Sequence, residues 1–483
     1  MKRLRVYNTL TRAKEIFTPL VADKVKMYVC GITAYDLCHL GHARCYVTFD
    51  VVHRWLEYLG YDVQYVQNIT DLDDKLIKRA QAEGGEGDIK DRVKAVAEKF
   101  TRLYFDDMDR LGILRANSYP RATEFIDDMV KIIQELEKKG FAYRRGSNVY
   151  FEVARFPSYG QLSRIDTQEV LSGTRVKVEE EKKSPLDFAL WKQSAPGEPS
   201  WPSPWGEGRP GWHIECSAMS MNRLGPTFDI HGGGQDLIFP HHENERAQSE
   251  AFSSHPFTRY WLHNGFVTIN REKMSKSLGN VFNLRDIYRV YPPRTVRFFL
   301  LSQHYRSPVD YSEEDLSRAG KTLRRLDNCF SLAVDRWGDL SSEEADEEAV
   351  KNFEKEMNDD FNTASALALV HDLAGRFFHS PSGSGRRAVS AMIKICEILG
   401  IKLENRLERM AAVGEEEEIK AEEVVRMIEI PEPAREHLER MVKSRQILRR
   451  SRRWNEADRV RARLRELGVE IRDNPDGSSS VVY

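Results

Sequence analysis

Long hydrophobic runs are absent from this chain of 483 residues. No apolar stretch approaches the roughly 18 residues that a membrane-spanning helix needs, and Met1–Tyr7 lacks the apolar core of a secretory signal. Hydrophobic residues make up 41% of the sequence and charged residues 31%, as in a globular protein rich in helices. Because neither export nor membrane insertion is indicated, we expect a cytoplasmic protein.

Cysteine is scarce as well. The six cysteines are too few and too scattered for a disulfide framework, and in a reducing compartment their thiols either pack in the core or bind metal. Four of them have helical neighbours and are predicted to be core thiols: Cys38, Cys45, Cys329 and Cys396. The chain is too long for one ordinary hydrophobic core, so we expect three or four domains.

A surplus of positive charge is also missing, since the formal net charge is -2. Any nucleic-acid surface must therefore be local. Between Met441 and Arg465 there are ten basic residues and two acidic ones, a net charge of about +8, with Trp454 in the middle. Such a segment suits phosphate contact and base stacking, although most charge runs are only solvated faces. Residues 401–425, with eight acids and four bases, are typical of a solvated linker.

The N-terminal part of the chain has the pattern of a strand, a helix and a second strand. Val25–Val29 is predicted to be a buried strand, and the apolar stripe from Val47 to Leu59 indicates a helix that ends at Gly60. Val63–Ile69 is predicted to be the second strand. Together they indicate the first half of a parallel, nucleotide-binding sheet.

The turn Cys30–His42 joins the first strand to the helix, at the edge where parallel sheets bind their ligands. His39 and His42 are three residues apart and share one face once the helix has begun, while Gly41 lets a ribose or base approach the backbone. The two imidazoles could donate hydrogen bonds to phosphate oxygens. The alternative for such an isolated pair is two surface histidines.

Three consecutive glycines, with Gly233 in the middle, follow another predicted strand, Phe228–Ile230. They permit a planar ligand to approach the backbone closely, and Asp236 is placed to accept a hydrogen bond from a ribose hydroxyl. A flexible surface turn is the alternative. The neighbouring motifs favour adenosine binding.

Two short motifs carry a family resemblance. His39-Leu40-Gly41-His42 and, far downstream, Lys273-Met274-Ser275-Lys276-Ser277 together resemble the two signatures of class I aminoacyl-tRNA synthetases. Longer runs resemble the cysteinyl-tRNA synthetase family in particular, namely Tyr28–Asp50, Asn68–Ala80, Gly211–Met219 and Phe228–Gln248. The resemblance implies an α/β fold with a Rossmann-type doubly wound parallel sheet. A connective insertion splits that sheet, and an all-α helical bundle and a small C-terminal anticodon-binding domain follow it.

The resemblance and the changes in composition divide the chain into seven segments. These are the first half of the catalytic sheet at 1–110, the connective insertion at 111–210, the second half at 211–270, the lysine loop with a stem-contact region at 271–325, the helical bundle at 326–410, the acidic linker at 411–425 and the anticodon-binding domain at 426–483. In similar enzymes the insertion covers the acceptor end of tRNA. Asp473–Ser478 resembles a C-terminal motif of the family, but the tryptophan that usually follows is missing. Which groups read the anticodon therefore stays open.

Four residues from remote positions suggest a metal site. Cys30 and Cys216 end the two halves of the sheet, and His241 and Glu245 are four apart on one predicted helical face. Two thiolates, an imidazole and a carboxylate suit a tetrahedral zinc ion, with Zn–S distances of about 2.3 Å, and the resemblance implies all four positions. Zinc would bind the substrate sulfur as a thiolate. An apolar pocket alone separates near-isosteres such as cysteine and serine by only about 1 to 3 kcal/mol.

The resemblance also implies roles for individual residues. Those expected at ATP are His39, Gly41, His42, Gly233, Asp236, Lys273 and Lys276. Those expected at the substrate cysteine are Gly31, Thr70, Trp212 and His231. Those expected at tRNA are Arg449, Arg450, Arg453 and Trp454. Mg²⁺ is expected to accompany ATP.

The implied reaction is activation of L-cysteine by ATP to cysteinyl-adenylate and transfer to tRNA(Cys), in a monomer with one zinc ion. Lys273 and Lys276 would close a loop over the departing pyrophosphate. Two alternatives are a cysteine ligase that acts on an amino sugar and a noncatalytic tRNA-binding protein. The basic tail argues against the first, and the intact lysine loop with both histidines argues against the second.

Overall fold

The structure, a computed structural model, describes residues 3–166, 182–269, 272–273, 282–340, 344–379, 383–405, 445, 448–449, 453–466, 470–473 and 479–482. The chain forms two compact units, one made of Met1–Leu326 and Asp339–Lys402 and the other of Asp327–Gly338 and Leu403–Tyr483. Among the helices of the described ranges, none is both long enough and apolar enough to cross a membrane.

The secondary structure alternates between strands and helices in the first half of the chain and is mainly helical afterwards. The strands are β1 (Arg5–Asn8), β2 (Ala13–Ile16), β3 (Lys24–Thr33), β4 (Asp62–Thr70), β5 (Ala142–Arg145), β6 (Asn148–Phe151), β7 (Phe188–Gln193), β8 (Gly208–Pro210), β9 (Phe228–Gly234), β10 (Thr258–Asn264), β11 (Val267–Ile269), β12 (Glu272–Lys273), β13 (Val309–Tyr311), β14 (Glu470–Asp473) and β15 (Ser479–Val482). The helices are α1 (Leu40–Tyr58), α2 (Asp74–Glu83), α3 (Ile89–Arg110), α4 (Ile126–Lys138), α5 (Trp212–Leu224), α6 (Glu243–Ser253), α7 (Leu284–Tyr288), α8 (Pro293–Leu301), α9 (Glu313–Trp337), α10 (Glu347–Met357), α11 (Thr363–His379), α12 (Gly383–Ile398) and α13 (Trp454–Glu466).

A four-stranded parallel sheet of order β10-β9-β3-β4 forms the centre of the larger unit. One half of the sheet is β3, α1 and β4, and the other is β9, α6 and β10. The strand order reverses where β3 pairs with β9, and open α/β sheets bind their ligands in the crevice beyond the carboxyl ends of strands at such a point. The predicted doubly wound parallel sheet is confirmed.

Helix α1 follows β3 because the sequence supplies both an apolar face and a glycine that ends the helix. Val47, Val51 and Trp55 are fully or almost fully buried, and their spacing of four residues places them on one face. The chain leaves the helix at Gly60, whose φ of 90° lies in the left-handed region that favours glycine. The helix therefore ends where the sequence indicates, at Gly60.

The insertion folds into a second sheet, antiparallel and of order β5-β6-β7-β8. Before reaching it, the chain runs along the outer edge of β4, where Gln67 N donates to Ser118 O at 3.1 Å and Ile69 N to Pro120 O at 2.9 Å. The start of the segment predicted as the insertion, 111–210, thus still pairs with the central sheet. The predicted domain boundaries stay a prediction.

Helices dominate the rest of the larger unit. Asn362 begins α11 as its cap, because its Oδ1 accepts a hydrogen bond from Ser365 N at 3.2 Å. The smaller unit contains the end of α9, helix α13 and the hairpin of β14 and β15.

Of the two lysines predicted at ATP, only Lys273 is described. Lys273 ends β12, which pairs with β11, whereas Lys276 lies outside the described residues.

Candidate metal centre and active site

The four predicted metal ligands lie together at the switch point of the sheet. Cys30 is in β3, Cys216 in α5 and Glu245 in α6, while His241 is in the turn before α6, and all four side chains are buried. One potential ligand atom of each lies within 4.8 Å of those of the others. The sequence separates Cys30 from Cys216 by 186 positions, and the packing of α5 against β3 and β4 brings the two cysteines to one place.

The distances within the cluster fit a metal ion. The sulfurs of Cys30 and Cys216 are 3.9 Å apart, and Cys30 Sγ is 3.5 Å from Glu245 Oε1. Two sulfurs bound to one tetrahedral zinc ion at about 2.3 Å are about 3.8 Å apart. The observed sulfur separation is therefore that of two ligands and far from that of a disulfide.

An irregular turn positions the histidine of the cluster. Ile238–His242 forms a wide helical turn, and Phe239 within it has the extended angles φ -136° and ψ 133°. His241 Nε2 nevertheless lies 2.9 Å from Glu245 Oε1, one regular turn further on. The two residues approach the same point, as their spacing of four predicts, although His241 precedes the regular helix.

The pKa values of the cluster show where its protons reside. The Cys30 thiol donates to Cys216 and, with His241, lowers the pKa of Cys216 to about 6 against the effect of burial. Burial raises the pKa of Cys30 well above its usual range. Burial by itself would lower the pKa of His241, but Glu245 and Cys216 raise it to about 10. Burial also opposes ionisation of Glu245, yet His241 and His231 hold its pKa well below the usual range. The cluster thus combines a thiolate, a carboxylate and an imidazolium.

His213, which the sequence analysis did not single out, lies behind His241. Their Nδ1 atoms are 2.9 Å apart, and burial lowers the pKa of His213 well below its usual range. A neutral His213 can accept a hydrogen bond from His241 Nδ1, which leaves Nε2 of His241 as the atom facing the cluster. Trp212 stacks on the ring of His241 with ring centroids 4.1 Å apart, and 40% of the Trp212 surface is exposed.

His231 is more deeply buried than a residue that lines a substrate pocket would be. It is fully buried, and its Nε2 is 2.9 Å from Glu245 Oε2, the oxygen opposite the one that faces Cys30. A second group of potential ligands consists of Cys30, His231, His242 and Glu245 and shares two members with the first. His242 Nδ1 is 2.8 Å from His263 Nε2, so a hydrogen bond between the two rings also positions His242. The first group has two sulfurs and suits zinc better.

Polar groups at the ends of β3 and β4 form a network beside the cluster. Gly31 N donates to Asn68 Oδ1 at 2.8 Å, and Asn68 Nδ2 donates to Thr70 Oγ1 at 3.1 Å. A Cβ at Gly31 would overlap the carbonyl oxygen of Asn68, so the close approach of the two strands requires glycine. Two residues predicted at the substrate cysteine, Gly31 and Thr70, are therefore linked through Asn68.

Glu215 is the second residue that the sequence analysis missed. It is 2% exposed, and its Oε2 has no hydrogen-bond partner among the residues described. Burial and the neighbouring Cys216 raise its pKa well above the usual range, against a hydrogen bond from Thr70. A buried carboxyl oxygen that lacks a partner is costly unless a ligand completes its hydrogen bonds. The signal in the sequence was an acidic residue inside an otherwise apolar helical face.

The predicted phosphate-binding histidines form the start of α1. His39 Nδ1 accepts from His42 N, and His42 Nδ1 accepts from His39 N, each at 3.3 Å. Their rings stack with centroids 3.7 Å apart. Both rings thus cap the helix through Nδ1, and a contact with phosphate would be made by Nε2. Gly41 lies within the first turn of the helix.

The glycines at the end of β9 are closely packed. A Cβ at Gly233 would lie 2.8 Å from Cε1 of His242, and one at Gly234 would overlap the carboxylate of Asp236. Asp236 is therefore close to the backbone at the carboxyl end of β9, at the same sheet edge as Cys30. The sequence predicted this edge as the site of adenosine.

The predicted tRNA contacts are only partly described. In the smaller unit, the guanidinium of Arg449 lies 5.9 Å from the ring centroid of Trp454, and 53% of Trp454 is exposed. Arg453 forms an ion pair with Glu456 at 2.6 Å. Arg450 lies outside the described residues. An exposed tryptophan with arginines beside it can stack a base.

Comparison with protein families gives two matches. The family described as "tRNA synthetases class I (C) catalytic domain" matches residues 16–321, and the "DALR domain" matches residues 352–404. A protein of Thermodesulfovibrio yellowstonii named "Cysteine--tRNA ligase" is 48% identical over 493 residues, which cover 98% of each chain. A protein of the same name from Thermococcus onnurineus is 46% identical and also covers 98% of each chain.

Solved structures with low sequence identity share the fold. The Mycobacterium tuberculosis methionyl-tRNA synthetase in complex with methionyl-adenylate aligns with a TM-score of 0.57 at 16% identity, over 78% of this chain and 89% of that one. A leucyl enzyme from Agrobacterium radiobacter, solved as a ternary complex with tRNA, aligns with a TM-score of 0.57 at 12% identity, over 80% and 84%. These likenesses concern the fold alone.

Proposed function

The chain belongs to the cysteine--tRNA ligases, class I aminoacyl-tRNA synthetases that use ATP to join cysteine to tRNA, and we propose that Cys30, Cys216, His241 and Glu245 hold a zinc ion that recognises the cysteine thiolate. The observation that supports this proposal most strongly is the convergence of the four ligand atoms within 4.8 Å. They come from three remote segments of the sequence.

The chemistry of the donor set supports zinc rather than a harder cation. Two sulfurs, one imidazole nitrogen and one carboxylate oxygen match the usual zinc ligands, whereas Mg²⁺ and Ca²⁺ prefer oxygen. When bound, zinc supplies a Lewis acid that takes a thiol as thiolate and binds a hydroxyl poorly. That preference would separate cysteine from serine at the first binding step, where an apolar pocket gives only about 1 to 3 kcal/mol.

The side chains around the cluster would position the rest of the amino acid. We assign Gly31, Thr70 and Trp212 to the substrate cysteine, with Glu215 as an acceptor for its ammonium group. Thr70 is held by Asn68 at 3.1 Å, and Glu215 has an oxygen without a partner in the part of the chain described. His231 would act behind Glu245, by fixing the carboxylate through the hydrogen bond of 2.9 Å.

The nucleotide would occupy the crevice between α1 and the end of β9. His39 and His42 would contact phosphate with Gly41 between them, while Gly233 and Asp236 would face the adenosine. Lys273 and Lys276 would close over the leaving pyrophosphate, and Mg²⁺ would accompany ATP. The cysteine carboxylate attacks the α-phosphate, so positioning and charge stabilisation supply the rate without a protein nucleophile.

In the second step a hydroxyl of the terminal ribose of tRNA(Cys) attacks the carbonyl of the cysteinyl-adenylate, so that an ester forms and AMP leaves. We assign Arg449, Arg450, Arg453 and Trp454 to contacts with this tRNA. We further propose that the enzyme acts as a monomer in the cytoplasm. Gel filtration with light scattering tests the oligomeric state.

Paired cysteine substitutions test the metal assignment. Cys216 and Cys396 are each 1% exposed, so Cys→Ser makes the same chemical change in equally buried places. Cys216→Ser should lose zinc and raise the KM for cysteine in pyrophosphate exchange, with ATP binding largely retained. Cys396→Ser should keep its zinc. Unchanged zinc content in Cys216→Ser would remove this residue from the ligand set.

A further inference from the structure

A buried aspartate lies outside the metal centre and the assigned nucleotide site. Asp360 is in the turn between α10 and α11, within the residues that match the DALR domain, and it is fully buried. Its φ of 68° lies in the left-handed region, which residues other than glycine seldom adopt. Such a conformation persists where the surrounding structure holds it. The turn is therefore fixed by its contacts with the rest of the fold.

Both carboxylate oxygens of Asp360 bind remote segments of the chain. Oδ1 accepts hydrogen bonds from Tyr7 N at 2.8 Å and from the hydroxyl of Tyr305 at 2.9 Å. Oδ2 accepts a hydrogen bond from Arg306 Nε at 2.7 Å. A charged donor and a charged acceptor form a strong hydrogen bond, and this acceptor is shielded from water. Asp360 therefore fixes the loop that follows α8, the supporting loop (His304–Ser307).

The supporting loop in turn holds α1. Arg44, two residues after His42 in that helix, is 1% exposed. Its guanidinium donates to the carbonyl oxygens of three residues, His304 at 2.8 Å, Ser307 at 3.3 Å and Leu300. Because the turns of a helix are rigid, a shift of the supporting loop would move His42 together with Arg44. The predicted phosphate-binding end of α1 thus depends on the position of this loop.

The supporting loop also holds the end of β9. Gln235, in the turn after that strand, donates from Nε2 to the carbonyl oxygen of Arg306 at 3.4 Å, and the next residue is Asp236. Gly265 N, just after β10, donates to the carbonyl oxygen of Tyr305 at 2.8 Å. A Cβ at Gly265 would overlap the backbone of the supporting loop. The loop therefore packs closely against the sheet edge to which adenosine is assigned.

We propose that Asp360 is a positioning residue for ATP. It fixes the supporting loop, and the loop fixes both sides of the assigned nucleotide site, α1 with His42 and the end of β9 with Asp236. The contacts of the loop described above reach α1, β9 and the end of β10, and none of them reaches α5 or α6, which carry Cys216 and Glu245. Loss of the Asp360 charge should therefore weaken the use of ATP and spare zinc and cysteine. The proposal rests on the proposed function, because it takes ATP to lie between α1 and β9.

Two adjacent aspartates give a matched pair of variants. Asp360→Asn keeps the size of the side chain but removes the charge that Arg306 binds. Asp359→Asn makes the same change at a side chain that is 51% exposed and pairs with Lys14. In cysteine-dependent pyrophosphate exchange, Asp360→Asn should lower the kcat/KM for ATP by roughly 10- to 100-fold, with the KM for cysteine at saturating ATP and the zinc content unchanged. Asp359→Asn should match the unaltered chain in all three measurements.

A selective effect on ATP separates positioning from a general loss of structure. If Asp360→Asn only loosened the fold, the KM values for ATP and for cysteine would rise together, and that result would overturn the proposal. An unchanged kcat/KM for ATP would overturn it as well. Should Asp360→Asn fail to fold, Tyr305→Phe takes its place, because it removes one hydrogen bond to the same carboxylate. Tyr305→Phe should raise the KM for ATP alone, and the absence of such a rise would contradict the proposal.

Exchange by the unaltered chain distinguishes this proposal from the proposed function. Absence of cysteine-dependent pyrophosphate exchange in that chain would refute the proposed function. If exchange occurs but Asp360→Asn and Asp359→Asn have the same kcat/KM for ATP, the positioning role of Asp360 alone is refuted.

Discussion

Zinc binding should release about two protons per site at pH 7.5. In the metal-free cluster at that pH, Cys216 is already a thiolate, because its pKa is about 6, and Glu245 is a carboxylate. Cys30 keeps its proton, since burial raises its pKa well above the usual range, and His241, with a pKa of about 10, is an imidazolium. A bound metal requires both thiolates and a neutral imidazole. The protons of Cys30 and His241 must therefore leave.

The number of protons released fixes the sign of the pH dependence of zinc binding. Affinity for zinc should rise with pH, by about two logarithmic units per pH unit between roughly pH 6 and pH 10, because each released proton contributes one unit. Below pH 6 the thiol of Cys216 is protonated as well, so the slope should steepen to about three. Acidification is thus expected to release the metal.

Titration calorimetry of the zinc-stripped protein with zinc measures the number of protons released. The apparent enthalpy is compared in buffers that differ in ionisation enthalpy, and its slope gives the number of protons released. His241→Ala should release about one proton fewer than the unaltered chain, while Cys396→Ser should release the same number. A release near zero, or the same release with and without His241, would refute the assigned ligands and their protonation.

Two further substitutions probe the support of the site. His213→Ala removes the partner of His241 Nδ1 at 2.9 Å and should weaken zinc binding by about 10- to 100-fold in competition with a chelator; unchanged affinity would argue against a positioning role. Gly31→Ala forces a Cβ into the carbonyl oxygen of Asn68 and should lower the free energy of unfolding by about 1 to 3 kcal/mol. Gly375 lies within α11, and a Cβ there would meet no atom within 4 Å. Gly375→Ala should therefore raise the free energy of unfolding by up to about 1 kcal/mol, and thermal unfolding of both variants measures the two changes. Equal effects of the two glycine changes would contradict the proposed packing.

Local features of the fold could be predicted from the sequence because they depend on neighbouring residues. The apolar stripe with Val47, Val51 and Trp55 fixes the buried face of α1, and Gly60 fixes its end. These features depend on spacings of a few residues, which the sequence shows directly.

The contacts that build the site could not be predicted from spacing alone. Cys30 and Cys216 approach to 3.9 Å because α5 packs against β3 and β4, and no local pattern specifies that packing. The family resemblance supplied their association. The hydrogen bond between His213 and His241 depends on the orientation of both rings, which the sequence does not show. The lack of a partner for Glu215 Oε2 among the residues described depends on how α5 packs against β4, so it was not predicted either.

A cavity that Lys90 and Trp201 line was not predicted for a similar reason. It exists where the insertion meets the start of α3, and each of these segments has an ordinary composition by itself. Lys90 and Trp201 are 111 positions apart, yet the lysine nitrogen lies 4.9 Å from the ring centroid. Only the folded chain shows that an aromatic face and cations share one space.

The most direct test of the central claim is X-ray absorption at the zinc edge of the zinc-loaded protein. Cys30 and Cys216 predict two sulfur neighbours without substrate. Addition of cysteine should raise the count to three, and addition of serine should leave it at two. A sulfur count that stays at two with cysteine bound would contradict recognition of the amino acid through its thiolate.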